Sequence, residues 1–208
     1  MKEKSYNKKQ LEIITLFLDD FRKALHLREI SRRIGSDTKT TSLHLQELEK
    51  IRVLTSSRVG RHKQFTLNFK SVLTRYYLIA GEMYRTINLL SRKFRLRKVC
   101  EMLTSDTRED ALLLVFGSYS KGTEDESSDL DVLVVNDDIK DELLEEIKLE
   151  YGIEVSVVSL TRKKFYTLQR RREPFIREIM DSHIILKGFS FFIESVWRNY
   201  YGFKTRMV

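Results

Sequence analysis

The first seventy residues carry hydrophobic positions at helical spacing, separated by short turns. Leucine, isoleucine and phenylalanine recur every three or four residues between Lys9 and Phe21, which predicts an amphipathic helix. A second helix is predicted from Leu27 to Ile34, followed by Gly35, a residue suited to the left-handed conformation of a helix C-cap. A Ser-Asp pair then provides the N-cap of a third helix, which carries hydrophobic residues through Ile51.

Two short strands, Val53–Ser57 and Gln64–Asn68, are predicted after the third helix, with a basic turn between them. Two helices joined by a short turn and followed by a basic hairpin form a winged helix-turn-helix arrangement. We expect the polar start of the third helix to enter the major groove of DNA and the hairpin to contact phosphates. The candidate contacts are Thr38, Lys39, Thr40, Thr41, His44, Arg58, Arg61 and Lys63. Such modules also dock proteins, and this alternative stays open.

The charge distribution favours a nucleic-acid partner for this first region. The net charge of the chain is +8, and residues 1–70 hold 16 Lys and Arg against 8 Asp and Glu. The remaining residues hold 22 of each class, so the whole surplus lies in the first third of the chain. A phosphate backbone is the usual partner of such an asymmetric charge, and a soluble basic surface is the alternative.

A broad apolar stripe at helical spacing runs through residues 71–104, and it predicts a helical connector. Its basic end, from Arg92 to Lys98, is either a solvated face or a contact with nucleic acid or a second copy of the chain. The length of the predicted helix suggests a homodimer.

Two uninterrupted hydrophobic runs, Ala111–Phe116 and Val132–Val135, predict buried strands on either side of a polar segment. The second run follows Asp129 and Asp131 directly. Residues i and i+2 of a strand point to the same side, so these two carboxylates are aimed at one place. Two like charges there are costly unless a cation lies between them, and a hard divalent ion such as Mg²⁺ prefers oxygen ligands.

The polar segment starts with a Gly-Ser pair that suits a phosphate group. Gly117 lets the backbone approach a phosphate without a Cβ in the way. Ser118 offers a hydroxyl and an amide N–H, and Lys121 is within reach of another phosphate oxygen. These three residues are the candidate nucleotide-binding residues.

The composite of apolar strand, Gly-Ser, ten residues, Asp-x-Asp and apolar strand resembles the minimal nucleotidyltransferases of the DNA polymerase β superfamily. Ser128-Asp129-Leu130-Asp131 matches the Ser-Asp-x-Asp form of that signature. The resemblance covers roughly residues 100–190. It implies a mixed sheet with flanking helices, catalytic Mg²⁺ (Mn²⁺ as an alternative) held by the two aspartates, and a nucleoside triphosphate, ATP being the expected one, as substrate.

Members of that superfamily usually carry a third carboxylate on a later strand. Here the strand is Gly152–Leu160, and Glu154 is its only acidic residue, so Glu154 is the candidate third catalytic and metal-binding residue. The superfamily more often has Asp at this place, so an exposed acid without a catalytic role is the alternative. If Glu154 points elsewhere, nucleotide can bind while transfer is slow or absent.

The rest of the chain completes the predicted fold, an α/β (α+β) protein with a winged helix-turn-helix at residues 1–70, a connector at 71–104 and a nucleotidyltransferase domain at 105–208. Thr161 caps a predicted helix through Arg172, a further helix covers residues 174–181, Ile184–Leu186 form a strand, and a helix from Phe191 to Tyr200 follows. The basic run at residues 170–172 contacts an acceptor or a triphosphate, or is a solvated face.

The sequence therefore predicts a Mg²⁺-dependent transferase that moves a nucleotide onto a hydroxyl of a protein, such as a toxin, or of a nucleic acid. A DNA-binding regulator that senses nucleotide without turnover is the second hypothesis, and a dimerisation scaffold with a vestigial site is the third. Cys100 is the only cysteine, which suits a reducing cytoplasm. No signal peptide or membrane-spanning stretch is expected, so we predict a cytoplasmic protein without a membrane partner.

Overall fold

The computed structural model of the protein describes residues 7–60 and 62–202, and the side chains of residues 62 and 200–202 lie outside this description. The chain divides into two compact units, and the division falls after Tyr84, inside a helix. Nowhere in the described residues is there a helix with the length and hydrophobicity needed to cross a membrane.

The first unit combines helices with a small antiparallel sheet. In chain order it contains α1 (Lys8–Thr15), β1 (Leu25–His26), α2 (Leu27–Arg33), α3 (Thr38–Lys50), β2 (Leu54–Val59), β3 (His62–Leu67) and the first part of α4 (Val72–Leu90). The strand order is β1-β3-β2, and all pairs are antiparallel. The hairpin register runs from Leu54 opposite Leu67 to Val59 opposite His62.

The first predicted helix is shorter than its hydrophobic pattern indicates. The pattern extends to Phe21, but α1 ends at Thr15, and the chain continues through turn bonds such as Phe17 N to Ile14 O at 3.0 Å. Phe17, Leu18 and Phe21 are nevertheless buried. Periodicity therefore predicted correctly which residues enter the core, and tertiary packing decided where the regular helix stops.

Helix α3 begins where the capping residue predicts. The Asp37 carboxylate accepts the backbone N–H of Thr40 at 2.8 Å, and these hydrogen bonds lower the pKa of Asp37. Leu45 and Leu48 of this helix are fully buried and contribute to the core of the unit. The exposed residues of the helix are polar except for Leu43, which is 56% exposed.

The second unit places a mixed sheet between helices. After the last part of α4 it contains α5 (Phe94–Asp106), β4 (Leu112–Val115), α6 (Gly117–Lys121), β5 (Leu130–Val135), α7 (Asp141–Tyr151), β6 (Val155–Leu160), α8 (Arg162–Arg171), α9 (Pro174–Asp181), β7 (Ile184–Lys187) and α10 (Phe189–Gly202). The predicted connector at residues 71–104 is thus formed by α4 and α5, with a break at residues 91–93.

The sheet order is β6-β5-β4-β7, with β5 and β6 parallel and the other pairs antiparallel. One face packs against α5 and α7 through a core that includes Val99, Leu103, Val132 and Ile147. Side chains alternate between the two faces of a strand. Because Val132 faces α5 and α7, Asp131 must face the opposite side, together with the first residues after β4.

Candidate functional site

The Gly-Ser turn lies directly against the second aspartate. Strand β4 ends at Val115 and α6 begins at Gly117, which has a φ of +67°. The N–H of Phe116 donates to the backbone carbonyl of Asp131 at 2.9 Å, which joins the end of β4 to the start of β5. A Cβ added to Gly117 would overlap the Asp131 carboxylate. Both backbone conformation and space therefore require glycine here.

The two aspartates lie at the start of β5, as the sequence predicts: Asp129 directly precedes the strand and Asp131 is its second residue. Asp129 is exposed and Asp131 is half-buried, and both face the side of the sheet away from α5 and α7. Burial raises the pKa of the Asp131 carboxyl, and the negative charges of Asp129 and Glu178 raise it further, whereas Lys121 opposes the shift. The ionised pair is thus held at an electrostatic cost that a bound cation would offset.

The loop before Asp129 is ordered by Asp125, a residue that sequence reasoning passed over. One Asp125 oxygen accepts the Ser127 N–H at 2.9 Å, the Ser127 hydroxyl at 2.8 Å and the Ser128 hydroxyl at 3.0 Å. These hydrogen bonds lower the pKa of Asp125. The pattern Asp-x-Ser-Ser is a local turn signal that could have revealed this role.

Lys121 is held by a residue of α9. Its Nζ lies 2.8 Å from Oε1 of Glu178, and both side chains remain almost half exposed. The neighbouring Ser120 hydroxyl lies 3.1 Å from the Ser182 carbonyl and 2.9 Å from the Ser182 hydroxyl. Together with Pro174, Arg177 and Asp181, the ion pair lines a cleft of about 300 Å³.

Neither Arg177 nor Glu178 was among the predicted site residues. Both come from α9, which follows Lys121 by more than fifty residues. The sequence of α9 predicts a helix correctly but contains no local signal for its contact with α6. Only the packing of α9 beside α6 reveals the contact.

Glu154 lies just before β6, and the structure pairs it with a lysine. Its backbone carbonyl accepts the Leu130 N–H at 2.7 Å, while its carboxylate is 62% exposed and lies 3.2 Å from Lys148 Nζ. In the parallel register of β5 and β6, Asp131 stands opposite Ser156. Across residues 7–60 and 62–202, no three or more His, Cys, Asp or Glu side chains form a group able to hold a metal ion. Glu154 is thus paired with Lys148 in the structure, and its role as a third ligand stays a prediction.

The predicted nucleic-acid contacts of α3 differ in their exposure. Thr38 and Lys39 are exposed, Thr40 is half-buried, and the His44 side chain is 14% exposed with Nδ1 at 3.7 Å from Glu47. Thr41 is fully buried, and its hydroxyl donates to the Asp37 carbonyl at 2.7 Å. Its polar group is therefore turned back onto its own helix, and Thr41 offers no contact to a partner.

The predicted contacts of the hairpin also differ in how free their side chains are. Arg58 is exposed near the tip of the hairpin. Lys63 is engaged, because its Nζ lies 2.7 Å from Glu49 of α3 and 4.9 Å from the centre of the Phe65 ring. Arg61 lies outside the described residues. Glu49 was missed by sequence reasoning, although an acid in the last turn of α3 was visible there.

The chain was compared with known proteins. No curated protein matches it. Two solved structures are similar to part of the chain, each covering 53% of this chain and 93% of that chain with a TM-score of 0.33. One is a toxin-antitoxin crystal structure with AMP-PNP, at 19% identity, and the other is a mutant of the toxin-antitoxin MntA-HpeT, at 17% identity.

A family model matches the second unit over most of its length. The matched segment starts in α5 and ends in β7, so it contains the Gly-Ser turn, both aspartates and the whole sheet. It agrees with the superfamily resemblance found from the Gly-Ser and Asp-x-Asp residues. Residues 95–186 match the family model of the nucleotidyltransferase domain.

Proposed function

We propose that the chain transfers a nucleotide from a nucleoside triphosphate, with ATP as the expected substrate, to a hydroxyl group of a protein or a nucleic acid. The observation that carries the proposal is the contact between Gly117 and Asp131. It places a turn without a side chain, suited to phosphate, against a pair of carboxylates suited to a metal ion. Each feature alone is common, and their contact is what supports the proposal.

The residues present fit a divalent ion. Asp129 and Asp131 supply hard oxygen ligands, and the raised pKa of Asp131 records the cost of keeping both ionised without a cation. These two residues would hold Mg²⁺, with Mn²⁺ as the alternative. When bound, the ion would supply charge neutralisation for the carboxylates and polarise the phosphate oxygens.

The remaining residues would place the triphosphate. Gly117 keeps the backbone open to a phosphate oxygen, Ser118 offers its hydroxyl and N–H, and Lys121 offers a positive charge once it leaves Glu178. The acceptor oxygen then forms a bond to the α-phosphorus, the bond from that phosphorus to the bridging oxygen breaks, and pyrophosphate leaves. Orientation of these groups is the contribution of the protein.

Transfer also needs a group that accepts the proton of the acceptor hydroxyl, and this requirement distinguishes the transferase from a second candidate function. Glu154, the predicted third acid, is paired with Lys148, and Ser156 occupies the place opposite Asp131. Glu154 would have to leave Lys148 to act as a base or ligand. This arrangement favours the second candidate function, a DNA-binding regulator that binds nucleotide with little or no turnover.

We further propose that the first unit is a winged helix-turn-helix that binds duplex DNA. The order of α2, α3 and the β2–β3 hairpin supports this assignment, as does the charge surplus of residues 1–70. Thr38, Lys39 and Arg58 are exposed and form the proposed contact set, with Thr40 and His44 contributing less. Lys63 would have to leave its ion pair with Glu49 to contact a phosphate. Thr41 is buried and is not part of the proposed contact set.

The testing experiment is transfer from α-labelled ATP, with the other nucleoside triphosphates in parallel, to whole protein and RNA of the source cells. The double variant Asp129→Asn with Asp131→Asn is the control. Label on one protein or RNA band that disappears with the double variant is the expected result. Nucleotide binding that depends on the two aspartates, without any transfer, would favour the regulator. Nucleotide binding unchanged in the double variant would exclude the site assignment.

A further inference from the structure

Helix α8 has two faces of opposite character. Phe165 and Gln169 are buried on one side, where Phe165 packs 5.9 Å from the Phe191 ring of α10. At 100° per residue, four of the five exposed cations of α8 gather within about 120° of the other side. They are Lys163, Lys164, Arg170 and Arg171. The helix therefore carries four positive charges on one solvent-facing strip about 12 Å long.

These four charges have no counter-ions among the residues that the structure describes. Arg162, on the inner side of the same helix, donates to Asp110, and many other lysines and arginines of the chain form ion pairs. Across residues 7–60 and 62–202, none of the four exposed cations on α8 lies within ion-pair distance of an acid, and α8 itself contains no acidic residue. An uncompensated strip of like charge attracts an anionic partner.

The strip lies on the same side of the sheet as the two aspartates. The acidic helix α7 packs with α5 on one face, and Asp129 and Asp131 face the other. Helix α8 packs on α10, and α10 contacts β4 outside the core shared by α5 and α7. The strip of α8 and the two aspartates therefore lie on the side of the sheet opposite α5 and α7.

The strip also leads into the cleft that holds Lys121. Helix α8 ends at Arg171, and α9 starts three residues later at Pro174, which lines the cleft with Lys121 and Arg177. Glu178 of the same cleft lies 2.8 Å from Lys121, which is three residues after Ser118 of the Gly-Ser turn. A polyanion lying along α8 would therefore have its end beside the proposed reaction site.

We propose that the exposed strip of α8 binds the phosphodiester backbone of a polynucleotide and delivers its terminal hydroxyl to the Asp129–Asp131 site. This inference rests on the proposed transferase function and names its acceptor class as nucleic acid. A polynucleotide supplies both requirements, namely a regular row of negative charges and a sugar hydroxyl at its end. The terminal oxygen bonds to the α-phosphorus, pyrophosphate leaves, and the hydroxyl proton passes to solvent.

The test measures binding of 3′-hydroxyl single-stranded RNA and of DNA of the same sequence to the full chain, without nucleotide, across a salt series. The strip variant changes Lys163, Lys164, Arg170 and Arg171 to Gln. The control of equal charge changes Arg92, Lys98, Arg108 and Lys140 to Gln, four cations outside the strip. Both variants lose the same net charge and leave residues 1–70 intact, so the contribution of the first unit cancels in the comparison.

We expect the strip variant to bind more than 10-fold more weakly at about 0.1 M salt, with a log–log salt slope shallower by about 2 to 3, because up to four phosphate contacts are lost. The control should change affinity by less than about 3-fold. Tighter binding of RNA or of DNA identifies which polynucleotide the strip accepts. Equal losses in strip variant and control would overturn the inference.

Transfer from α-labelled ATP to the 3′-end separates this inference from the function on which it rests. If the strip variant loses polynucleotide binding but the wild type transfers no label, the strip is a polynucleotide surface and the transferase proposal is wrong. If label enters only protein, and equally in wild type and strip variant, the transferase stands and the nucleic-acid acceptor is wrong.

Discussion

The turn around Gly117 and the polar start of α3 are both candidate binding regions, but they are built differently. At the turn, Gly117, Asp131 and Lys121 are fixed by contacts with distant parts of the second unit. In the first unit, the candidate contacts Thr38, Lys39 and Arg58 lie on a helix and a hairpin, and their side chains are exposed to solvent. The geometry of the Gly117 turn is therefore fixed by packing, whereas the start of α3 and the hairpin present exposed polar and positively charged side chains.

The difference shows what charge and spacing can each reveal. The count of 16 Lys and Arg in residues 1–70 overstates the free positive surface, because Lys63, Lys23 and Arg33 pair with acids of the same unit. The spacing of the Gly-Ser and Asp-x-Asp residues, by contrast, corresponds to a real contact between backbone turn and carboxylate. Packing should therefore control the properties of the turn, and free charge should control those of the first unit.

Gly117→Ala should have the largest effect, since it brings a Cβ into the Asp131 carboxylate and forces alanine into a left-handed conformation. We expect the free energy of unfolding to fall by about 2–4 kcal/mol, measured by urea denaturation. Gly122→Ala is the matched control, because Gly122 has a similar φ of +69° but open space around its Cβ position. It should cost only about 1 kcal/mol.

Removing the Asp131 carboxylate separates its steric clash with the new Cβ from the backbone strain at residue 117. In an Asp131→Ala background, Gly117→Ala should cost no more than Gly122→Ala. An undiminished cost there would mean that Asp131 is not what requires glycine at the turn.

Asp131→Asn should make the metal-free protein more stable at neutral pH. Burial and neighbouring acids raise the pKa of Asp131, so its contribution to stability is present in acid and is lost as pH rises through that raised value. Asparagine does not titrate. The variant should therefore gain a few tenths to about 1 kcal/mol over the wild type between acid and neutral pH, given the partial exposure of the group.

Thermal unfolding from pH 3 to pH 7.5 in metal-free buffer would measure this gain. Asp125→Asn is the control of opposite sign, because hydrogen bonds lower the pKa of Asp125 and stabilise its ionised form. It should lose stability toward neutral pH. If both variants shifted in the same direction, the local environments would not be the cause.

Local sequence patterns predicted most elements, including the helix caps at Asp37 and Thr161, the β4 and β5 strands and the positions of α8, α9 and β7. These features depend on neighbours within a few residues. The end of α1 and the break between α4 and α5 were not predicted, because the hydrophobic periodicity continues through both places. Periodicity reports burial, and it reports helix ends only where a capping or breaking residue is present.

The candidate site was predicted in part for the same reason. Gly117, Asp129 and Asp131 lie within fifteen residues of one another, so spacing along the chain reflects spacing in the fold. Glu154 was chosen as the only acid of its strand, but the register of β5 and β6, which sets Ser156 opposite Asp131, is a long-range property. Glu178 reaches Lys121 only through the packing of α9, and no local pattern contains that information.

Glu178→Gln should tighten nucleotide binding by about 3-fold. The change removes the carboxylate that holds Lys121 and also removes a negative charge near the phosphates. Titration calorimetry with Mg²⁺ and a non-cleavable ATP analogue is the measurement. Glu142→Gln, an exposed acid on α7, is the control and should leave the affinity unchanged. Weaker binding by Glu178→Gln would instead make the ion pair a required support for Lys121.

The smallest expected effects come from removing single lysines of residues 1–70. Lys39→Gln should weaken binding to duplex DNA and make the log–log salt slope shallower by about 1, because an exposed lysine can contact one phosphate. Lys63→Gln should change the slope less, since Lys63 must first leave Glu49. A larger change in slope for Lys63→Gln than for Lys39→Gln would contradict the idea that exposed, unpaired lysines make the contacts with DNA. The hairpin would then be the main contact, instead of the start of α3. A slope that responds to neither lysine would favour protein docking over DNA binding.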